Sequence, residues 1–76
     1  MNDYPTPWVA SRYDNGRVYQ WARIAGPGEW HFATLDSRDR LWIPSRRFAG
    51  GRTVRGLPLL NAREARSAAA TLPEHA

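Results

Sequence analysis

Two short stretches of the chain interleave arginine with large aromatics, Arg17, Tyr19, Trp21 and Arg23 in one and Trp30, Phe32, Arg40 and Trp42 in the next, and Gly, Pro, Asn and Asp separate such runs at short intervals, as between strands. Trp8 to Tyr13 reads as a first strand and Arg17 to Ile24 as a second. Between them lies Asp14-Asn15-Gly16-Arg17, where Asn15 and Gly16 can both take the positive φ of a two-residue type I′ turn. That turn predicts pairing of Tyr13 with Val18, Arg12 with Tyr19, Ala10 with Trp21 and Trp8 with Arg23. One side of the hairpin then carries Trp8, Ala10, Arg12, Tyr19, Trp21 and Arg23. The other carries Val9, Ser11, Tyr13, Val18, Gln20, Ala22 and Ile24. Neither side is cleanly polar, so the pattern allows one side to be covered and the other used.

Ala25-Gly26-Pro27-Gly28 interrupts the second strand. Glu29 to Leu35 reads as a third strand, Asp36-Ser37-Arg38-Asp39 as a polar turn, and Arg40 to Ile43 as a fourth strand ended by Pro44. This loop pairs Leu35 with Arg40, Ala33 with Trp42 and Phe32 with Ile43. Trp30, Phe32, Thr34, Leu41 and Ile43 form the expected core face, opposite a mixed face of His31, Ala33, Leu35, Arg40 and Trp42. Ser45 to Arg55 reads as a loop with a short fifth strand at Thr53-Val54, and Gly56 to Leu60 as irregular chain. Asn61 followed by Glu64 resembles a capping box and opens a helix over Ala62–Leu72, which Pro73 ends. Its alanine-rich face (Ala65, Ala68, Ala69, Leu72) buries little area and is expected to dock weakly, on the sheet or on a partner.

The expected fold is therefore mainly β (α+β). It is a small antiparallel sheet or SH3-like barrel of two hairpins with a possible fifth strand and a short C-terminal helix. One domain is expected over residues 1–76, with an extended proline-containing arm over 1–7, a β core over 8–60 and the helix over 61–72. Two hairpins, a fifth strand and a small helix resemble SH3-like or Tudor-like small barrels over residues 8–60. The resemblance is architectural and carries no site residues with it.

A chain of 76 residues buries only about 60–65% of its unfolded surface, and scaffolds of this size usually lean on a disulfide, a metal or a partner subunit. There is no Cys, which excludes disulfides and thiolate metal sites, and His31 and His75 have no ligand spacing. No cofactor or metal is expected. Either the four Trp residues supply the buried area, or two copies share a core as a homodimer. No apolar run is long enough to span a membrane, and Met1-Asn2-Asp3-Tyr4 lacks the basic and apolar parts of a signal peptide. The expected location is cytoplasmic.

The net charge is +4, and all eleven basic residues are Arg. GC-rich coding, as in a high-GC bacterium or its phage, explains an absence of Lys. Arg also suits phosphate forks and ring stacking better than Lys does. The charge is uneven: residues 37–55 carry six Arg against Asp39 alone, a net +5, whereas residues 61–76 sum to zero.

Two constellations carry candidate chemistry. The first is the aromatic–arginine strand face, with Tyr19 and Trp21 flanked by Arg12 and Arg23, and with Trp42 on the neighbouring hairpin. Such rings stack bases or anchor a protein, unless they are simply core. The second is the basic segment with Arg38, Arg40, Arg46, Arg47, Arg52 and Arg55 around Gly50-Gly51, which suits a phosphate chain. It matches neither a Walker loop nor GxGxxG. His31, between Trp30 and Phe32, reads as a packed residue. Asp14, Asp36 and Asp39 fall in turns, and no nucleophile or carboxylate pair has a catalytic setting, so enzyme activity is not expected. The leading reading is a non-enzymatic nucleic-acid-binding module. The alternatives are a protein-interaction module or small regulator with Trp and Arg hot spots, and a structural subunit of an assembly such as a phage particle.

Overall fold

In the computed structural model, which describes residues 3–75, five strands form one antiparallel sheet in the order of the chain. They are β1 (Val9–Arg12), β2 (Val18–Gly26), β3 (Glu29–Leu35), β4 (Trp42–Arg47) and β5 (Thr53–Arg55), followed by α1 (Ala62–Ala69). The sheet stays open and does not close into a barrel. Of the expected N-terminal arm, Met1 and Asn2 lie outside the described residues. Thr6 ties the rest to β2, donating its N–H to Ile24 O and accepting Ile24 N–H on Oγ1.

The turns explain the register. Tyr13 N–H donates to Arg17 O, Gly16 N–H donates to Tyr13 O, and Gly16 has φ 87°. This is a three-residue loop with one left-handed glycine, not the expected type I′ turn, and Asn15 keeps a negative φ. Asn15 Oδ1 instead accepts Arg17 N–H. The pairs Val9–Ala22, Ala10–Trp21 and Ser11–Gln20 form as the sequence predicts. At Arg12 the register slips to Val18 and passes over Tyr19, so Tyr13 does not face Val18 and Arg12 does not face Tyr19. The same turn recurs between β4 and β5, at the other end of the sheet. Phe48 N–H donates to Arg52 O, Gly51 N–H to Phe48 O, and Gly51 has φ 92°. Tyr13-Asp14-Asn15-Gly16-Arg17 and Phe48-Ala49-Gly50-Gly51-Arg52 thus share an aromatic opener, a left-handed glycine and a closing arginine.

β4 departs most from expectation. It starts at Trp42 and runs through Pro44 to Arg47, so the first three residues expected to be loop, Ser45, Arg46 and Arg47, are strand, and Arg40 and Leu41 are not. Pro44 is tolerated inside the sheet because its backbone edge faces β5, where its O accepts Gly56 N–H. The missing N–H removes nothing from the β3–β4 ladder. The β3–β4 pairs are Leu35–Trp42, Ala33–Pro44 and Phe32–Ser45, two residues beyond the expected register, which keeps Trp42 and Ile43 on their expected faces while Arg40 and Leu41 leave the sheet. Residues 36–41 form the connecting loop, closed by Asp36 N–H to Leu41 O and Arg40 N–H to Asp36 O, with Arg40 at φ 62°.

The capping expectation for the helix holds: Asn61 Oδ1 accepts Glu64 N–H at 2.8 Å. The helix ends at Ala69, three residues before the expected Leu72. It packs on β3 and β4. Ala33, Ala65 and Ala69 are fully buried, and Pro44 is the largest side chain that is. Small side chains on both partners let the helix lie close to the sheet. Behind it Gly56 has no room for a side chain: a Cβ would sit 2.9 Å from Pro44 Cγ and 3.0 Å from a Leu72 methyl. The covered face is therefore that of Trp21, Ala33 and Pro44, which are direct cross-strand neighbours. This corrects the expected core: Trp30, Phe32, Thr34 and Ile43 lie on the face that α1 leaves open, and all of them remain half-buried.

Arg40 is the one described non-glycine residue with positive φ, a conformation that costs an L-residue about 1–2 kcal/mol. Arg40→Gly is expected to stabilise the fold by about 1 kcal/mol, less glycine's entropy cost in the unfolded chain. Urea unfolding checks this; an unchanged or lowered midpoint refutes it.

Candidate functional site

Strand register sorts the side chains into rows across the sheet. On the covered face, Arg23, His31 and Arg46 are direct neighbours on β2, β3 and β4. Arg23 Nε donates to His31 Nδ1 at 3.0 Å, and its guanidinium lies 4.5 Å from the Trp8 ring. The His31 proton therefore sits on Nε2, which is buried without a partner. His31 is 6% exposed, and its pKa is lowered to about 4 by burial and by the charges of Arg23 and Arg46. Burial also lowers the pKa of Arg23. Arg46 Nη1 donates to Ala70 O and Leu72 O, just past the end of α1. Its guanidinium lies 4.7 Å from the Phe48 ring, and Nη2 is 3.8 Å from Glu29, the one ion pair among the described residues.

These contacts relocate the expected site. Trp21 is half-buried with Arg66 of α1 lying 4.4 Å over its ring, so it sits beneath the helix and does not form an open platform. Tyr19 packs on Tyr13 with ring centroids 4.7 Å apart and planes tilted by 35°, and Arg12 donates to Gly16 O within the same hairpin. Trp42 opens β4 on the covered face and pairs with Leu59. Arg23 and Arg46 are engaged with rings, His31 and backbone carbonyls. Arg38 and Arg40 lie in the β3–β4 loop at one end of the sheet, and Arg52 lies in the β4–β5 turn at the other. The +5 segment is thus not one patch.

The open face brings together residues that sequence reasoning had divided between core and basic segment. One row runs Ile24, Trp30, Arg47, Thr53; the next runs Val9, Ala22, Phe32, Ser45, Arg55. Trp30 and Phe32 are stacked, with planes 7° apart and centroids at 5.9 Å. Arg47 and Arg55 are exposed beside them. A third row places Gln20 Nε2 on Thr34 Oγ1 at 3.1 Å, which leaves the Gln20 carbonyl oxygen as a free acceptor. The sequence signal for this surface was the alternation itself: Arg46 and Arg47 are adjacent and therefore point to opposite faces. Among the described residues no three His, Asp or Glu side chains gather where they could hold a metal ion. No helix there is long and apolar enough to cross a membrane.

Two outcomes follow for the covered row. An unfolded chain protonates His31 near 6.5, whereas the folded chain resists protonation down to about 4. Unfolding therefore takes up a proton between these values, and the contribution is full above pH 6.5 and lost as pH falls toward 4. The loss amounts to up to about 3 kcal/mol. Thermal unfolding from pH 7 to pH 4 should show a shallower decline for His31→Gln; parallel declines would refute it. Arg46→Ala removes two charge-assisted hydrogen bonds to the end of the helix and should cost about 2 kcal/mol. Hydrogen exchange should quicken at Ala69 and Ala70 ahead of β2, and uniform quickening would count against the anchoring role. No protein-family model, curated protein or solved structure matches this chain.

Proposed function

We propose that the chain is a non-enzymatic module that binds single-stranded nucleic acid across the open sheet face. The observation that carries this reading is the stacked Trp30–Phe32 pair with exposed Arg47 and Arg55 in the same two rows. Bases stack on the two rings, each contributing about 1–3 kcal/mol. The sugar–phosphate chain runs over β4 and β5, where the guanidinium forks meet it. The free acceptor of Gln20 and the hydroxyl of Ser45 lie beside the stack and suit contacts with base edges. Single strands fit better than duplex, because a paired base offers no face for these rings.

A second reading, a protein-interaction module, draws on the apolar depression at the β1 side of the same face. Val9, Ala22, Ile24 and Trp30 line it with Thr6, Ser11 and Arg23, and Val9 is 66% exposed on the edge strand. Aromatic anchors of this kind bind with little salt dependence, whereas phosphate contacts weaken steeply as salt rises.

Fluorescence anisotropy with labelled single-stranded DNA, single-stranded RNA and duplex DNA at several salt concentrations tests the proposal. Single strands are expected to bind more tightly than duplex. Trp30→Ala should weaken binding about 5- to 100-fold. Arg47→Gln with Arg55→Gln should flatten the log–log salt slope by about 1.4, two phosphates at about 0.7 each. Arg46 is a poor target, since its loss also loosens α1. Absence of binding at low salt, or unchanged affinity in both variants, overturns the reading and favours a protein partner.

A further inference from the structure

The β1–β2 turn and the β3–β4 loop meet at one end of the sheet. They enclose a depression of about 230 Å³ lined by Tyr13, Asn15, Arg17, Leu35, Ser37 and Arg40. Arg17 and Arg40 come to it from separate loops. No carboxylate lines it. Asp36 and Asp39 instead turn Oδ1 to the backbone N–H groups of Arg38 and Leu41, and neither Arg17 nor Arg40 has an ion pair among the described residues. Two guanidinium groups gathered at one concavity repel each other unless an anion sits between them. The backbone adds an independent observation. Arg40 holds φ 62°, a conformation in which glycine or asparagine sits with less strain, yet the position carries a long cation. Strain retained at a residue that lines a concavity points to a task for its side chain.

We propose that this depression is a phosphate-binding site. The forks of Arg17 and Arg40 take the oxyanion from two sides, a geometry suited to a tetrahedral oxyanion with several acceptor oxygens. The Asn15 side chain uses its oxygen on Arg17 N–H, which leaves its NH₂ group free to donate. The hydroxyl groups of Ser37 and Tyr13 add uncharged donors at the rim. The site uses none of Trp30, Phe32, Arg47 or Arg55, so it does not depend on the open-face reading. The phosphate belongs either to a nucleic-acid end or to a small phosphorylated molecule.

The test is an NMR titration of the full chain, following backbone amides with inorganic phosphate at constant ionic strength and with chloride as the control. Saturable shifts are expected at Gly16, Arg17, Ser37 and Arg40 with phosphate and not with chloride. Arg40→Gly, which suits the loop backbone while deleting the guanidinium, should weaken phosphate binding about tenfold or more, the loss of one charge-assisted contact. Arg17→Gln should do the same. Equal shifts from phosphate and chloride, or wild-type phosphate affinity in Arg40→Gly, overturn the proposal. A short oligothymidine with a 5′-phosphate is then compared with its 5′-hydroxyl form. Tighter binding of the phosphorylated form assigns the site to a strand end, and equal binding, with the phosphate response intact, assigns it to a small phosphorylated molecule. Resonances of Trp30 and Phe32 report the open face separately, so failure of one site is distinguishable from failure of the other.

Discussion

The close approach of α1 to Ala33 and Pro44 is the contact on which the remaining architecture depends. A helix rests this near to a sheet only where both surfaces are small, and the meeting residues are three alanines and a proline. Once α1 is seated there, one face of the sheet becomes interior and the other stays open. Gly56 belongs to the same arrangement, since the chain must pass between Pro44 and Leu72 on its way from β5 to the helix. The Arg46 guanidinium holds the far end, bonding carbonyls beyond the last helical turn that would otherwise lack a partner. A thin seam of small residues thus closes the fold, and none of the four tryptophans is fully buried.

That seam explains which parts of the fold were legible in the sequence. Strand positions followed from alternation and turn residues, and the β1–β2 pairing was correct from Val9 to Ser11 because Gly16 fixes the hairpin. The choice of core face was not legible. Sequence patterning assigns the interior to the side with more large apolar residues, which is the Trp30–Phe32 side. Here the interior is set by where α1 seats, over the small side chains of Ala33 and Pro44, with Trp21 on the same face beneath Arg66. The strand through Pro44 was missed for a related reason. Proline ends a strand only where its N–H would be needed, and at Pro44 that edge faces Gly56 at the end of β5.

Strand geometry also governs the charge. A run of arginines reads in sequence as one basic patch, but alternation divides neighbours between faces. Arg46 becomes a helix anchor and Arg47 an exposed cation beside Trp30. Arg38 and Arg40 leave the sheet altogether through the β3–β4 loop. The arginines adjacent in sequence are thus divided by the fold, and Arg47 and Arg55 stand in the same rows as Trp30 and Phe32, rings that the sequence pattern places in the core.

The covered row of Arg23, His31 and Arg46 shows how a small basic fold tolerates cations in its interior. Each arginine lays its guanidinium against an aromatic ring and donates to a neutral acceptor, His31 Nδ1 for Arg23 and backbone carbonyls for Arg46, whose Nη2 also stands 3.8 Å from Glu29. The imidazole lies between two cations and is compatible with them only while neutral, so it works as an acceptor rather than as a third charge. The arrangement engages the donors of two arginines and buries one histidine within the fold. The arginines that the covered face does not use include Arg47 and Arg55 on the open face, Arg17 and Arg40 at one end of the sheet, and the exposed Arg38, Arg52 and Arg63. An anion held by either pair would relieve repulsion that the isolated chain carries. Binding at either proposed site would therefore stabilise the fold by mass action.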